Sequence, residues 1–133
     1  MRQTAQGAWT CIDDERDGRA FDASLSSIRA VRQFVTEALG EDFSHMDAAL
    51  LVASELATNA VLHAAAPFVV DVLRTDDGGR ISVRYRSTAQ AGVRVPPAHA
   101  ESGRGLSLVD ALSSAWGVRW TPNGKVVWAD VRG

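Results

Sequence analysis

The stretch Glu55-Leu56-Ala57-Thr58-Asn59-Ala60-Val61-Leu62-His63 decides how the chain is read. Leu56, Ala57 and Val61 continue an apolar stripe that begins with Met46, Leu50 and Ala53, and this spacing of three and four predicts a helix. Ser44 followed three residues later by Asp47 resembles a cap at its start, and the pattern runs to about His63. Glu55 and Asn59 stand four apart and so project from one face, and His63 extends that line by another turn. An arbitrary carboxylate and amide so placed form a solvated stripe. Here the surroundings are Ala53, Ala57, Thr58, Ala60, Ala64, Ala65 and Ala66, small enough to let a ligand approach, where a solvated stripe would carry Lys and Arg. Asn59 can offer an oxygen to Mg²⁺, and Glu55 can act as a base beside it.

Ahead of this helix, Leu25, Ile28, Val31, Val35 and Leu39 recur at three and four from Ser24, predicting an amphipathic helix that ends at Gly40. Beyond it, Pro67 breaks the helical pattern. Phe68 to Leu73 and Ile81 to Tyr85 are rich in β-branched and aromatic residues, with Asp76-Asp77-Gly78-Gly79 between them, which predicts a hairpin. Residues 88 to 102 hold Pro96, Pro97 and Gly92 without a period and read as a long loop. Leu106, Val109, Leu112 and Ala115 return to helical spacing, and Trp116–Trp120 and Lys125–Val131 predict a second hairpin around Pro122-Asn123-Gly124. Helices, hairpin, loop, helix and hairpin fit an α+β two-layer sandwich, a mixed, mainly antiparallel sheet with helices on one face. Residues 1–18 read as an N-terminal segment, with Trp9 to Ile12 as an edge strand and an acidic run, Asp13, Asp14, Glu15 and Asp17, as a solvated link. Residues 19–133 read as the domain, opening on a short strand at Arg19 to Phe21.

A chain of 133 residues with 46% hydrophobic and 23% charged side chains fits one buried core. A net charge of −2, with basic residues spread along the chain, argues against direct nucleic-acid binding. Cys11 is the sole cysteine, which excludes an intrachain disulfide and a four-cysteine zinc site. With no leader pattern and no apolar stretch long enough for a membrane span, the expectation is a cytoplasmic protein with no membrane partner. His45, His63 and His99 lack metal-ligand spacing, and helical period accounts for Ser107 and Asp110 better than a hydrolase triad with His99 does.

Gly103-Arg104-Gly105-Leu106 stands where the long loop becomes a helix. Amides without Cβ obstruction can point there at an anion near the positive end of the helix dipole. It is no Walker loop, since Gly124-Lys125 is followed by Val126, and no dinucleotide fingerprint, since Leu108 occupies the third glycine position.

Together and in this order the two signals are more specific. Glu55 to His63 resembles the N box of the GHKL ATPases, and Ser102-Gly103-Arg104-Gly105-Leu106-Ser107-Leu108-Val109-Asp110 resembles their second glycine box. The short length, the helix ahead of the N box and the run into Trp116-Gly117-Val118 look like the bacterial anti-sigma regulatory factors, over residues 19 to 131. The resemblance implies a Bergerat-type, histidine-kinase-like ATPase fold that binds ATP with Mg²⁺. In it Asn59 would hold the metal, Glu55 would be the general base, and Gly103, Arg104, Gly105 and Leu106 would lie along the phosphates, with His63 close by. It further implies a serine-protein kinase acting on a STAS-type anti-anti-sigma partner, regulation of transcription through a sigma factor, and a homodimer. The sequence departs from the family in the first glycine box, where Ser87 stands at the position of an adenine-reading aspartate. A hydroxyl there lacks the carboxylate's charge, and the lost contact is worth on the order of 1.5–3 kcal/mol. The alternative is therefore a degenerate, nucleotide-independent module that sequesters a sigma or STAS partner.

Overall fold

Apolar residues that alternate with polar ones build the strands of this chain, and those that recur at three and four build its helices. The structure is a computed structural model that describes residues 16–63, 67–86, 107–122 and 124–132. In order these form β1 (Arg16–Phe21), α1 (Ser27–Leu39), α2 (Met46–His63), β2 (Phe68–Thr75), β3 (Gly78–Arg86), a helical stretch at 107–112, β4 (Ala115–Thr121) and β5 (Gly124–Arg132). The strands make one sheet in the order β1-β2-β3-β5-β4, with every pairing antiparallel. Both helices pack on the same face, α1 against β1 and β2, and α2 against β3, β5 and β2. The expected α+β two-layer sandwich is thus the fold.

Phe68, Val70 and Val72 of β2, Ile81 and Val83 of β3, and Val127, Ala129 and Val131 of β5 point into the layer between sheet and helices. Each large side chain buried there contributes roughly 1.5–3 kcal/mol. Val31, Phe34, Val35 and Leu39 of α1 meet them from above. α1 stops where Gly40 adopts φ 94°, and its amide donates to the Thr36 carbonyl at 3.0 Å. Arg74 of β2 donates to the Leu39 carbonyl, capping the same helix end from the sheet.

Several boundaries differ from expectation for local reasons. Leu25 lies in a turn ahead of α1 and is 65% exposed. There the Ser24 carbonyl accepts from the Ser27 amide at 2.9 Å and the Ser24 hydroxyl accepts from the Ser26 amide at 3.2 Å, so the helix starts late. Gly78 and Gly79 belong to β3, and Asp76-Asp77 alone turn the hairpin. A Cβ on Gly79 would come within 2.8 Å of the Leu39 side chain, so glycine lets α1 sit close on the strand. Ala115 is the first residue of β4 rather than a helical position. β1 starts at Arg16, so Asp17 pairs with Val72 instead of lying in a link, and the boundary after residue 18 falls inside this strand. The Trp9 to Ile12 strand and the 88–102 loop lie outside the described residues. Among the described residues, no helix is long and apolar enough to cross a membrane.

Candidate functional site

The site starts from the way α2 is turned. Its buried positions are Ala49, Val52, Ala53, Leu56, Ala57 and Ala60, whereas Met46, Leu50 and Val61, expected in the core stripe, are only partly buried. The helix is therefore rotated from the expected stripe, which follows from how its small residues seat on the sheet. On one flank, Arg32 of α1 donates to the Ser54 hydroxyl at 2.9 Å and to the Leu50 carbonyl at 3.4 Å, so this flank faces α1. Ser54 and Thr58 return their hydroxyl protons to the carbonyls four residues back, at 2.8 and 2.7 Å. By helical spacing Glu55, Asn59 and His63 lie on the other flank, and all three are half-buried. That flank looks away from α1, over the β5–β4 side of the sheet.

The sheet supplies the floor. α2 ends at His63 and the chain enters β2 at Phe68, and Val69 pairs with Arg84, so the last residues of β3 share one end of the molecule with Asn59 and His63. Tyr85 faces inward at this end, directly opposite Lys125 of β5. Tyr85 is 3% exposed, and its hydroxyl is buried without a hydrogen-bond partner among the described residues. Burial pushes its pKa up to about 12, so the hydroxyl keeps its proton at neutral pH. The Lys125 ammonium lies 5.8 Å from the Tyr85 ring and 4.9 Å from the Trp120 ring, and burial lowers its pKa. Val118 and Trp120 of β4, on the same face, are 41% and 54% exposed. Gly124 permits the close strand approach beneath: a Cβ there would strike the Tyr85 carbonyl and come within 2.7 Å of the Arg86 Cα. A hollow of about 470 Å³ opens at this end, lined by Val69, Arg84, Arg86 and Thr121 from the opposite face of the sheet and bordered also by Pro67, Tyr85 and Gly124.

Of the residues singled out in the sequence, Glu55, Asn59 and His63 come together on one helix flank as their spacing requires. Ser87, Gly103, Arg104, Gly105 and Leu106 lie outside the described residues. Their described neighbours are well separated. Arg86 pairs with Gly124 at one end of the sheet, whereas Ser114, just past the 107–112 helical stretch, donates its amide to the Asp130 carbonyl at 2.8 Å near the other. Val109 of that stretch is fully buried in the core, and Asp110 accepts from the Trp116 indole at 2.9 Å, a bond that accounts for this carboxylate without a hydrolase role.

Tyr85 and Lys125 are the residues that sequence reasoning passed over. The signal was present in β5, where a lysine opens the inward series Lys125, Val127, Ala129 and Val131. What the arrangement can do is hold a ligand between an acceptor-bearing helix flank and a floor that offers two donors and an exposed indole.

A family model described as histidine kinase-like ATPase domain matches residues 21–131. No curated protein matches the chain.

Proposed function

Because the chain belongs to the histidine kinase-like ATPase domain family, whose members bind ATP, generally with Mg²⁺, we propose that it is an anti-sigma regulatory factor. In this reading it uses ATP to phosphorylate a serine on a STAS-type anti-anti-sigma partner and thereby controls a sigma factor. The observation that carries the reading is the placement of Glu55 and Asn59 together on the half-buried flank of α2, over the inner face of the sheet.

The residues fit the group they would hold. Asn59 offers one neutral oxygen, and among the described residues no cluster of three or more His, Cys, Asp or Glu stands ready to enclose a metal. Mg²⁺ prefers such a sparse site, keeping water and phosphate oxygens in its remaining places. When bound, Mg-ATP supplies the phosphoryl group and the charge neutralisation that its transfer needs. Glu55 would act as the base that accepts the proton of the partner's serine hydroxyl. Gly103, Arg104 and Gly105 lie along the phosphates in this reading, with Leu106 and His63 bordering them.

Incubation of the full chain with Mg-ATP and its STAS partner should yield phosphoserine, and Asn59→Ala should lower transfer by at least about tenfold. Equal transfer by that variant removes Asn59 from the site. Ser87 supports a second reading, a module that sequesters its partner without nucleotide, and calorimetry separates the two. Micromolar Mg-ATP affinity supports the kinase, and silence at millimolar concentration supports the module.

A further inference from the structure

The chain carries 14 lysine and arginine side chains, and Lys125 is the single lysine among them. It opens the inward series of β5, where Val127, Ala129 and Val131 follow it into the core. It stands opposite Tyr85, at the end of the sheet shared with Asn59 and His63. Its ammonium lies 5.8 Å from the Tyr85 ring and 4.9 Å from the Trp120 ring. Aromatic faces hold a cation without neutralising it, so the full charge stays available to an anion. Burial works against that charge, and an anion alongside restores what burial removes. The space between two rings suits a compact ammonium better than a planar guanidinium, which accounts for a lysine at one position of a chain that otherwise uses arginine. Lys125 is half-buried and the Trp120 indole beside it is 54% exposed, so core packing does not close over this part of the floor.

Resting on the nucleotide reading just given, we propose that Lys125 is a binding residue of that site and that its ammonium donates to the phosphate oxygens of the nucleotide. Asn59 stands at the same end of the molecule, and in that reading it holds Mg²⁺, which keeps phosphate oxygens among its ligands. The metal from the helix side and the ammonium from the sheet side then share the charge of one polyphosphate. A hydrogen bond between unlike charges is of the stronger kind, and it selects for the phosphates and not for the base. Tyr85 and Trp120 act through Lys125, as positioning residues that set where the ammonium stands.

The test uses the full chain. Because Lys125 is the sole lysine, an amine-acylating ester reports on it alone once peptide mass spectrometry has set the N-terminal amine apart. Mg-ATP and magnesium tripolyphosphate should each protect it, with most of the lysine adduct lost at saturation, and adenosine should leave the adduct in place. By calorimetry, Lys125→Met should weaken Mg-ATP binding by about ten- to a hundredfold, the worth of a hydrogen bond to a charged group. Protection is read on the wild-type chain, so it decides the matter even where the variant folds poorly. Undiminished acylation under saturating Mg-ATP, protection by adenosine, or an unchanged Mg-ATP affinity in folded Lys125→Met overturns the assignment and leaves the nucleotide site standing. Failure of wild type to bind Mg-ATP at millimolar concentration overturns the nucleotide reading itself, and this inference with it.

Discussion

The two halves of the sheet's inner face are made by the same alternation of residues and are finished differently. Over β1 and β2, α1 closes on the sheet. The rings of Phe21 and Phe34 lie 6.0 Å apart, those of Phe21 and Phe68 stack at 5.8 Å, and Arg19 covers the outer ring at 4.8 Å. Over the far ends of β3, β5 and β4, Val118 and Trp120 are left exposed, Lys125 is half-buried, and Tyr85 hides a hydroxyl with no partner among the described residues. Side chains in the first half are placed as packing alone would place them. Those in the second half would be poor choices for packing, and such local violations are where a chain gives up stability for binding.

The sharpest way to break this contrast is at Phe68, which is fully buried in the packed half. Phe68→Ala should cost about 3–5 kcal/mol in denaturant unfolding, the usual toll of emptying a tight aromatic site. A cost below about 1 kcal/mol, the level of an unconstrained surface position, would erase the difference between the halves. Next in size is Tyr85, the sole tyrosine of the chain, so that tyrosinate absorbance reports on it directly. Its pKa is raised from 10.0 to about 12, and the folded protein therefore holds a proton that the unfolded chain releases. This contribution to stability is fully present below the unfolded value and is lost as pH rises toward the folded one, a fall on the order of 2–3 kcal/mol. Lys125 acts with the opposite sign. Its pKa is lowered by burial, so between its folded and unfolded values the unfolded chain binds more protons, and stability rises with pH there. A tyrosinate midpoint at the ordinary value would mean that the Tyr85 environment is wet. The smallest effect belongs to Trp120→Ala, which should change unfolding stability by less than about 1 kcal/mol, since an exposed indole loses little beyond its contact with Lys125. A larger loss would make Trp120 part of the core and move the border between the halves.

Much of this was legible in the residues themselves. Period placed both long helices, β-branched runs and turn residues placed both hairpins, and the four-residue step put Glu55 and Asn59 on one flank whatever the helix packs against. The rotation of α2 was not legible, because many of its positions are small or apolar and several stripes compete. Only the sheet decides that Ala49 and Ala60 go in while Leu51 and Leu62 stay exposed. Ala115 fits a helical period after Val109 and Leu112, and the backbone bond from Ser114 to Asp130 of β5 draws it into a strand instead. Tyr85 illustrates the deeper limit. Alternation marks it as an inward residue, but whether its hydroxyl finds a partner depends on contacts distant in sequence.

Sheet order also bears on when the site comes into being. β2 and β3 are joined by two residues, as are β4 and β5, so each hairpin closes a short loop, whereas β3 and β5 are neighbours only after a long stretch of chain has been gathered in. Loop-closure entropy makes such a pairing slower to form than either hairpin. Tyr85 and Lys125 face each other across this seam. Neither hairpin holds this pair in advance: the ring and the ammonium meet only at the docking event that joins the two hairpins, so their shared environment is a product of the finished sheet and not of either hairpin alone.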